Sequence, residues 1–283
     1  MTSLIVAIAT WSVVAFGLLL FGAQVIAHEL GYWFGRQHAT RREVPAESAG
    51  VVVGGMLGLL AFVLALTLSF ANERFSERRA GTLAEANAIG TAWLRAHAIG
   101  HPRGAEIARL LEQYTRVRMA FVQADNDPPA IDELNSRTNA LQSEIWGHLS
   151  AIVREQPNPV ATSLMAALND TFDMTTAERF AYAFRLPRQI FWLLIGMTLL
   201  GMASIGYQLG LRGRPARMLA TLLIVTWTVV IVDILDLASP RIGTFRTDAA
   251  VYDWTLKGFQ GGVVIPPLPG PHCHVEKSSD RRR

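Results

Sequence analysis

Residues 50–98 read GVVVGGMLGLLAFVLALTLSFANERFSERRAGTLAEANAIGTAWLRAHA. The first part, residues 50–71, contains no charged residue and is long enough to cross a bilayer as a helix. No turn signal follows it, and residues 72–98 are rich in Ala, Glu, Arg and Leu, which favour helix. The stretch therefore predicts one continuous helix that crosses a membrane and extends into water, until Gly-His-Pro at residues 100–102 ends it.

The composition of the 283-residue chain also indicates a membrane protein. Charged residues make up 17% of the chain and apolar residues 51%, whereas an average soluble domain has roughly 25% charged residues. The apolar residues are concentrated in stretches of membrane-spanning length, which are residues 4–27, 50–71, 190–211 and 218–237. We therefore predict an all-α, polytopic membrane protein with four transmembrane helices.

The first apolar stretch, residues 4–27, has two interpretations. Val25 and Ala27 stand at possible −3 and −1 positions for signal-peptide cleavage. However, no Lys or Arg precedes the stretch, and it is longer than the core of a signal peptide. We favour a retained membrane anchor, followed by interfacial aromatic residues at 32–34 within a short polar loop over residues 28–49.

The residues between the second and third spans predict a helical bundle outside the membrane. Apolar residues recur there at helical spacing over about 103–124, 130–155 and from 160 onward, with Pro-containing breaks between them. The last residues are rich in Gly, Pro and charge, which predicts a disordered tail. The predicted units are 1–71 (two spans), 72–189 (bundle), 190–260 (two spans and a post-membrane segment) and 261–283 (tail).

Arginines in the short loops set the predicted orientation. Each of the two short loops between spans carries three arginines, and short positive loops face the cytoplasm. Further arginines flank the membrane on the side of the bundle, so the preference for a bundle outside the cytoplasm is small. The net charge of +3 is explained by such membrane-flanking residues, and we expect no nucleic-acid partner.

Asp233 and Asp236 are acids within the fourth apolar stretch. Their spacing of three places them on one helix face, and a carboxylate inside a membrane usually has a partner or a wet cavity. One interpretation places them on an ion or proton path. The other is structural, because both lie near the end of the span, where Arg241 or Arg246 could pair with them.

Gly50, Gly54 and Gly58 recur at four-residue spacing in the second span. Small residues at this spacing let two helix backbones approach closely in lipid. They predict either an oligomeric, pore-lining seam or packing against a neighbouring helix of the same chain.

Glu85, Asn87 and Thr91 place polar groups in the extension of the same helix. They either line the aqueous mouth of a pore or supply hydrogen bonds between helices of the bundle. The sequence alone leaves both interpretations open.

Signals for catalysis or metal binding are weak. Residues 28–32 read HELGY, in which Tyr32 stands where the zinc motif H-E-x-x-H requires its second histidine. Residues 272–274 read HCH but lack a fourth nearby ligand, and the single Cys273 excludes an internal disulfide. The sequence contains neither a nucleophile elbow nor a phosphate-binding glycine loop. We predict no catalytic residue, no cofactor and no metal site.

Two stretches resemble the bacterial bestrophin-like membrane proteins, a four-span family of largely unknown function. The first is EANAIGTAWLR at residues 85–95, and the second is ILDLASPRIGTFR at residues 234–246. The family pattern for the second reads I-L-D-L-D-x-P-x-x-G, followed by a basic residue, and Ala238 stands where its second acid is expected. The residues that match are Asp236, Pro240, Arg241, Gly243 and Arg246.

The resemblance implies a likeness to bestrophins, which are pentameric anion channels with a helical domain between their second and third spans. It implies a homo-oligomeric, channel-like protein for small ions in the inner membrane, with the bundle in the cytoplasm. The acids near mid-membrane do not favour an anion path. The alternative is a structural or sensory membrane protein whose bundle binds a partner, while Asp233 and Asp236 hold Arg241 and Arg246 at the membrane edge.

Overall fold

A computed structural model of the chain describes residues 13–41, 46–183 and 187–264, in which the regular structure is α-helical. This confirms the predicted all-α fold. Residues 4–12 of the first span, the HCH stretch at 272–274 and the tail from residue 265 lie outside the described residues. The helices are α1 Val13–Arg41, α2 Ala46–Ala98, α3 Pro102–Gln123, α4 Pro128–Glu155, α5 Pro159–Ala183, α6 Arg188–Arg212, α7 Arg217–Ala238 and α8 Ala250–Gln260.

Within the described residues, four helical stretches are long and apolar enough to cross a membrane, as predicted. They contain α1, the first part of α2, α6 and α7. Large apolar side chains on these helices point away from the chain, among them Leu18, Leu200 and Leu222, which are 69%, 61% and 65% exposed. Such a surface suits contact with lipid, and the chain is a multi-pass membrane protein.

Helix α2 is continuous over 53 residues, as its sequence predicts. At 1.5 Å per residue it is about 80 Å long, so it extends well beyond a bilayer. It is followed by Gly100, whose φ of 66° few other residues adopt. Its neighbour His101 caps α3 by accepting a hydrogen bond from the backbone N–H of Arg103.

The predicted loop over residues 28–49 is wrong for the described residues, because α1 continues to Arg41 and α2 begins at Ala46, and residues 42–45 lie outside the described part of the chain. One face of the extra turns of α1 is buried, at His28, Gly31 and Gly35, whereas Leu30, Trp33 and Phe34 are exposed. Nothing between residues 28 and 41 breaks a helix, since the glycines there face another helix rather than a turn.

A close crossing of α1 and α6 explains why α1 stays helical. Gly31 and Gly35 of α1 meet Gly206 and Gly210 of α6, and a Cβ atom at each of the four would overlap backbone atoms of the opposite helix. Both helices therefore present a G-x-x-x-G surface, which permits backbone contact in a membrane.

The bundle consists of the second half of α2 with α3, α4, α5 and the short helix α8. Its core is apolar and contains Ile89, Leu111, Ile145 and Leu164, all fully buried. The sequence analysis did not predict α8, which packs on α2 and α3. This helix buries Tyr252 and Phe259 against the bundle, and the ring of Phe259 stacks on Trp93 at 4.7 Å.

Candidate functional site

One face of α2 is uncovered in the single chain and is lined by small or polar side chains, apart from Leu83. A Cβ at Gly54 or Gly58 would meet no atom within 4 Å. Gly50 differs, since a Cβ there would lie 2.7 Å from the side chain of Gln208 on α6. Exposed residues follow at intervals of three or four along the same face, which are Ala61, Ala65, Ser69, Asn72, Ser76, Ala80, Leu83, Asn87 and Thr91.

Glu85 does not lie on this exposed face, in contrast to Asn87 and Thr91. It is fully buried on the other side of α2, so its predicted position at an aqueous mouth is corrected. Arg118 of α3 binds it bidentately, with Nε donating to Oε1 at 2.6 Å and Nη2 to Oε2 at 3.2 Å. Its other partners are the hydroxyls of Tyr252, at 2.5 Å, and Thr175, at 2.6 Å. A buried carboxylate requires such compensation.

A chain of neutral side chains extends this network to α4. Gln142 donates from Nε2 to the hydroxyl of Tyr114 at 2.8 Å, and that hydroxyl lies 2.5 Å from Oγ1 of Thr175. Burial raises the pKa of Tyr114 to about 12. Burial also opposes the charge of Arg118, but the adjacent carboxylate of Glu85 outweighs it and raises the pKa of Arg118. The centre of the bundle is thus one guanidinium–carboxylate hydrogen-bonded pair surrounded by hydroxyl groups.

A second acid faces Glu85 across the same helix pair. Thr82 and Glu85 of α2 are three residues apart, as are Thr175 and Glu178 of the antiparallel helix α5. Each threonine contacts the acid of the other helix, Thr175 with Glu85 and Thr82 with Glu178 at 2.5 Å. Glu178 is 1% exposed. The two helices are therefore joined by a reciprocal pair of Thr–Glu contacts.

Asp236 shapes the loop that follows α7. Its carboxylate accepts hydrogen bonds from the backbone N–H groups of Thr244 and Phe245 and from the hydroxyl of Thr244, over 2.7–3.2 Å. Gly243 has a φ of 89°, and a Cβ there would overlap the carboxylate. Asp236 therefore holds the loop by hydrogen bonds, and Gly243 leaves the space that its carboxylate occupies. Both residues belong to the family pattern.

The two arginines of this loop do not pair with Asp233 or Asp236, which corrects the structural interpretation. Arg241 donates from Nη1 to the carbonyl oxygens of Phe121 and Ala124 at 2.7 and 3.0 Å. Arg246 instead forms an ion pair with Asp125 at 2.8 Å. The reason is that backbone N–H groups already satisfy Asp236, and the loop directs both arginines toward the end of α3.

Asp233 lies one turn before Asp236 and is half-buried. Within the described parts of the chain it forms neither an ion pair nor a hydrogen bond. Its place on an ion path therefore stays a prediction.

Both stretches that carry the resemblance join elements of the structure. In residues 85–95, Glu85 holds α3, α5 and α8, and Arg95 donates from Nη1 to the carbonyl of Ser163 at 2.8 Å. Residues 234–246 attach the end of α7 to α3. These motifs thus fix the bundle to the membrane helices.

Glu106, Glu144 and His148 are described residues whose ligand atoms lie within 4.8 Å of one another. However, both carboxylate oxygens of Glu106 already accept hydrogen bonds from Arg109, which lower the pKa of Glu106. A metal ion would have to displace this guanidinium, so we assign no metal to the cluster.

Sequence reasoning missed several partners in the buried network. A signal existed for Arg118, which follows Tyr114 by four residues and precedes Phe121 by three, so that a charge stands on the apolar face of α3. For the others no local pattern distinguishes a buried polar group from a surface one. The missed residues are Arg78, Arg118, Thr175, Glu178 and Tyr252.

Most of the chain matches the model of a known protein family. The family model described as "Bestrophin-like domain" matches residues 9–252, from the first span to the start of α8. No curated protein and no solved structure gave a match in the corresponding comparisons.

Proposed function

The chain belongs to the bestrophin-like family, and on this basis we propose that copies of it assemble into a channel-like protein for small ions in the bacterial inner membrane. The proposal includes no catalysed reaction and no cofactor. The observation that supports it is the uncovered face of α2, which extends from Gly54 to Thr91.

The membrane part of this face differs from the other membrane surfaces of the chain. Leu200 of α6 and Leu222 of α7 are typical of the exposed positions on the other spans, most of which are large and apolar; Thr221 and Thr226 of α7 are polar exceptions among them. The α2 face presents Gly54, Gly58 and Ser69, and the large exposed side chains of α2, among them Leu59, Phe62 and Leu66, lie beside this face. Small residues suit the close approach of another copy, and a path for ions requires surfaces that large lipid-facing side chains do not cover.

The aqueous half of the same face supports a continuation of the path through the bundle. Asn72, Ser76, Asn87 and Thr91 are exposed and uncharged there. In the proposed assembly, Asn87 and Thr91 lie at the far mouth, whereas Glu85 holds the bundle together. Asp233 of α7 is the acid whose charge acts on ions in the membrane part.

Gly58→Trp is expected to abolish ion flux, because an indole on the uncovered α2 face would separate the copies or block the space between them. The matched control is Leu200→Trp, which adds an indole to a lipid-facing position of α6. Flux of chloride and of potassium is measured in liposomes that contain each purified protein. We expect flux for the wild type and Leu200→Trp only. A wild-type chain that is monomeric in detergent and conducts neither ion would contradict the proposal.

Asp233→Asn separates the two roles of that acid in the same assay. A change in flux, or in the ratio of potassium to chloride flux, would put the carboxylate on the path. Unchanged flux would leave the channel proposal intact and make Asp233 structural.

The second candidate function is a structural or sensory protein whose bundle binds a partner. A groove of about 440 Å³ between α3 and α4 favours it. Val117, Leu134 and Leu141 form apolar parts of its lining, and Arg116 and Arg137 are the charged residues there. Absence of flux from every preparation would make this groove the first region to examine for partner binding.

A further inference from the structure

The two buried acids between α2 and α5 are compensated very differently. Glu85 is bound by the guanidinium of Arg118 and by two hydroxyl groups. Glu178 contacts one hydroxyl only, that of Thr82, and its Oε2 atom is buried without a hydrogen-bond partner among the described residues. An ionised carboxylate in such a place would be poorly stabilised.

The hydrogen atoms available at Thr82 indicate where a proton lies. Oγ1 of Thr82 is 2.9 Å from the carbonyl oxygen of Arg78 and 2.5 Å from Oε1 of Glu178. The carbonyl can only accept, and a hydroxyl has one hydrogen to donate. Both contacts are satisfied when the carboxyl O–H of Glu178 donates to Thr82 and Thr82 donates to the carbonyl. Oγ1 of Thr175 is placed in the same way, 2.6 Å from Glu85 and 3.0 Å from the carbonyl oxygen of Thr171, but there the guanidinium of Arg118 compensates the carboxylate. Among the described residues no cation forms a hydrogen bond with Glu178. Burial supports this protonated state, because it raises the pKa of Glu178 to about 7.

Arg78 connects this acid to the membrane helices. It is buried, and its Nη2 donates to the carbonyl oxygen of Leu237, in the last turn of α7, at 2.6 Å. Its Nε and Nη1 atoms are buried and have no hydrogen-bond partner in the described part of the chain. Burial lowers the pKa of Arg78, whereas Glu178 is among the groups that raise it. The N–H groups at Nε and Nη1 of Arg78 are therefore available to donate hydrogen bonds to Glu178 when that acid is ionised.

A cavity of about 240 Å³ adjoins Glu178. The acid lines this cavity together with Gly81, Phe180 and the ion-paired residues Arg74 and Glu77. A Cβ at Gly81 would lie 2.5 Å from Oε2. The glycine thus leaves room for the unpartnered oxygen beside the cavity.

We propose that Glu178 is a proton-binding site, reached through this cavity, whose ionisation draws Arg78 away from Leu237 and loosens the attachment of the bundle to α7. The proton comes from water and returns to it. The site does not depend on ion conduction. Other ionisable groups that act on Glu178 or respond to it, besides those of the cavity, are Glu85 on α2, Arg118 on α3, Tyr182 on α5, Arg241 after α7 and Tyr252 on α8.

Infrared difference spectroscopy of the full chain in detergent tests the protonation directly. We expect the C=O stretch of a protonated carboxyl group to disappear with a midpoint near pH 7 in the wild type. Glu178→Gln should remove this signal, and Glu133→Gln, at an exposed position of α4, should retain it. Glutamate labelled with ¹³C at the carboxyl carbon should shift the signal in the wild type, which assigns it to a glutamate rather than an aspartate, and the loss in Glu178→Gln assigns it to this residue. Persistence of the signal in Glu178→Gln, or an ordinary glutamate midpoint, would overturn the proposal.

Arg78→Gln tests the link to α7 by the same spectra. Loss of the cation that stabilises the ionised acid should raise the midpoint of Glu178 by about one pH unit or more. An unchanged midpoint would show that Arg78 does not respond to the acid and would overturn the coupling.

Thermal stability across pH provides a second readout. The folded pKa of Glu178 is raised from 4.5 to about 7, so the folded chain holds the proton more tightly than the unfolded chain. The contribution of Glu178 to the free energy of unfolding is therefore fully present below pH 4.5 and is lost as the pH rises through 7. The Tm of the wild type should therefore fall relative to that of Glu178→Gln over this interval. A constant difference between the two Tm values would contradict the raised pKa.

Discussion

Arg118→Met is expected to lower the free energy of unfolding by about 3–5 kcal/mol. Methionine keeps much of the side-chain volume beside Phe121, so the change removes mainly the charge. The carboxylate of Glu85 would then stay fully buried with only the hydroxyls of Thr175 and Tyr252 as partners. Denaturant-induced unfolding of the purified chain in detergent measures the loss.

Arg109→Met is the matched control on the same helix. Arg109 pairs with Glu106 at the surface, where water screens the charges, so its unfolding curve should lie close to the wild type. Adding Glu85→Leu to Arg118→Met should restore much of the lost stability, because it removes the unpaired buried charge. Equal unfolding curves for Arg118→Met and Arg109→Met would contradict a stabilising role for the buried pair.

The continuity of α2 was predictable because its cause is local. Residues 50–98 contain no proline, and the Gly-His-Pro sequence that ends the helix begins two residues later, at Gly100. Apolar periodicity likewise predicted α3 and α4 to within about two residues of their observed ends. In each case the residues that decide the helix lie within it or beside it in the sequence.

The buried network was not predictable because its members meet only after folding. Arg118 is 33 residues from Glu85, and Tyr252 is 167 residues away. From the sequence alone, an acid with many charged neighbours on its helix is predicted to lie at the surface. Only the packing of other helices shows that it is buried. The same limit applies to the proposed protonated state of Glu178, which follows from burial and from the lack of a cation at its Oε2 atom among the described residues.

The wrong loop over residues 28–49 has a related cause. Its glycines and charges are typical of a polar connection when α1 is considered alone. They are equally compatible with a helix once α6 supplies a facing pair of glycines. Only the pairing of two distant helices distinguishes these alternatives.

Gly206→Leu is expected to destabilise the chain by about 3 kcal/mol or more, because its side chain would force α1 and α6 apart. A Cβ at Gly206 would already overlap the carbonyl oxygen of His28, and backbone atoms cannot move aside as the end of a side chain can. Separating the helices would also expose the contacts at Gly31 and Gly35. The Tm of the purified protein in detergent, together with the fraction that remains monodisperse, measures the effect.

Gly196→Leu separates this clash from the general effect of leucine in α6. Gly196 lies in the same helix, and a Cβ there would meet no atom within 4 Å. Leucine has a higher helix propensity than glycine by roughly 0.5–1 kcal/mol, so the control should be as stable as the wild type or slightly more stable. Gly206→Leu is therefore expected to lower the Tm, whereas Gly196→Leu is expected to leave it unchanged or raise it slightly. Similar Tm values for both would mean that α1 and α6 can separate at little cost, and that the four-glycine crossing does not hold α1 in its extended helical form.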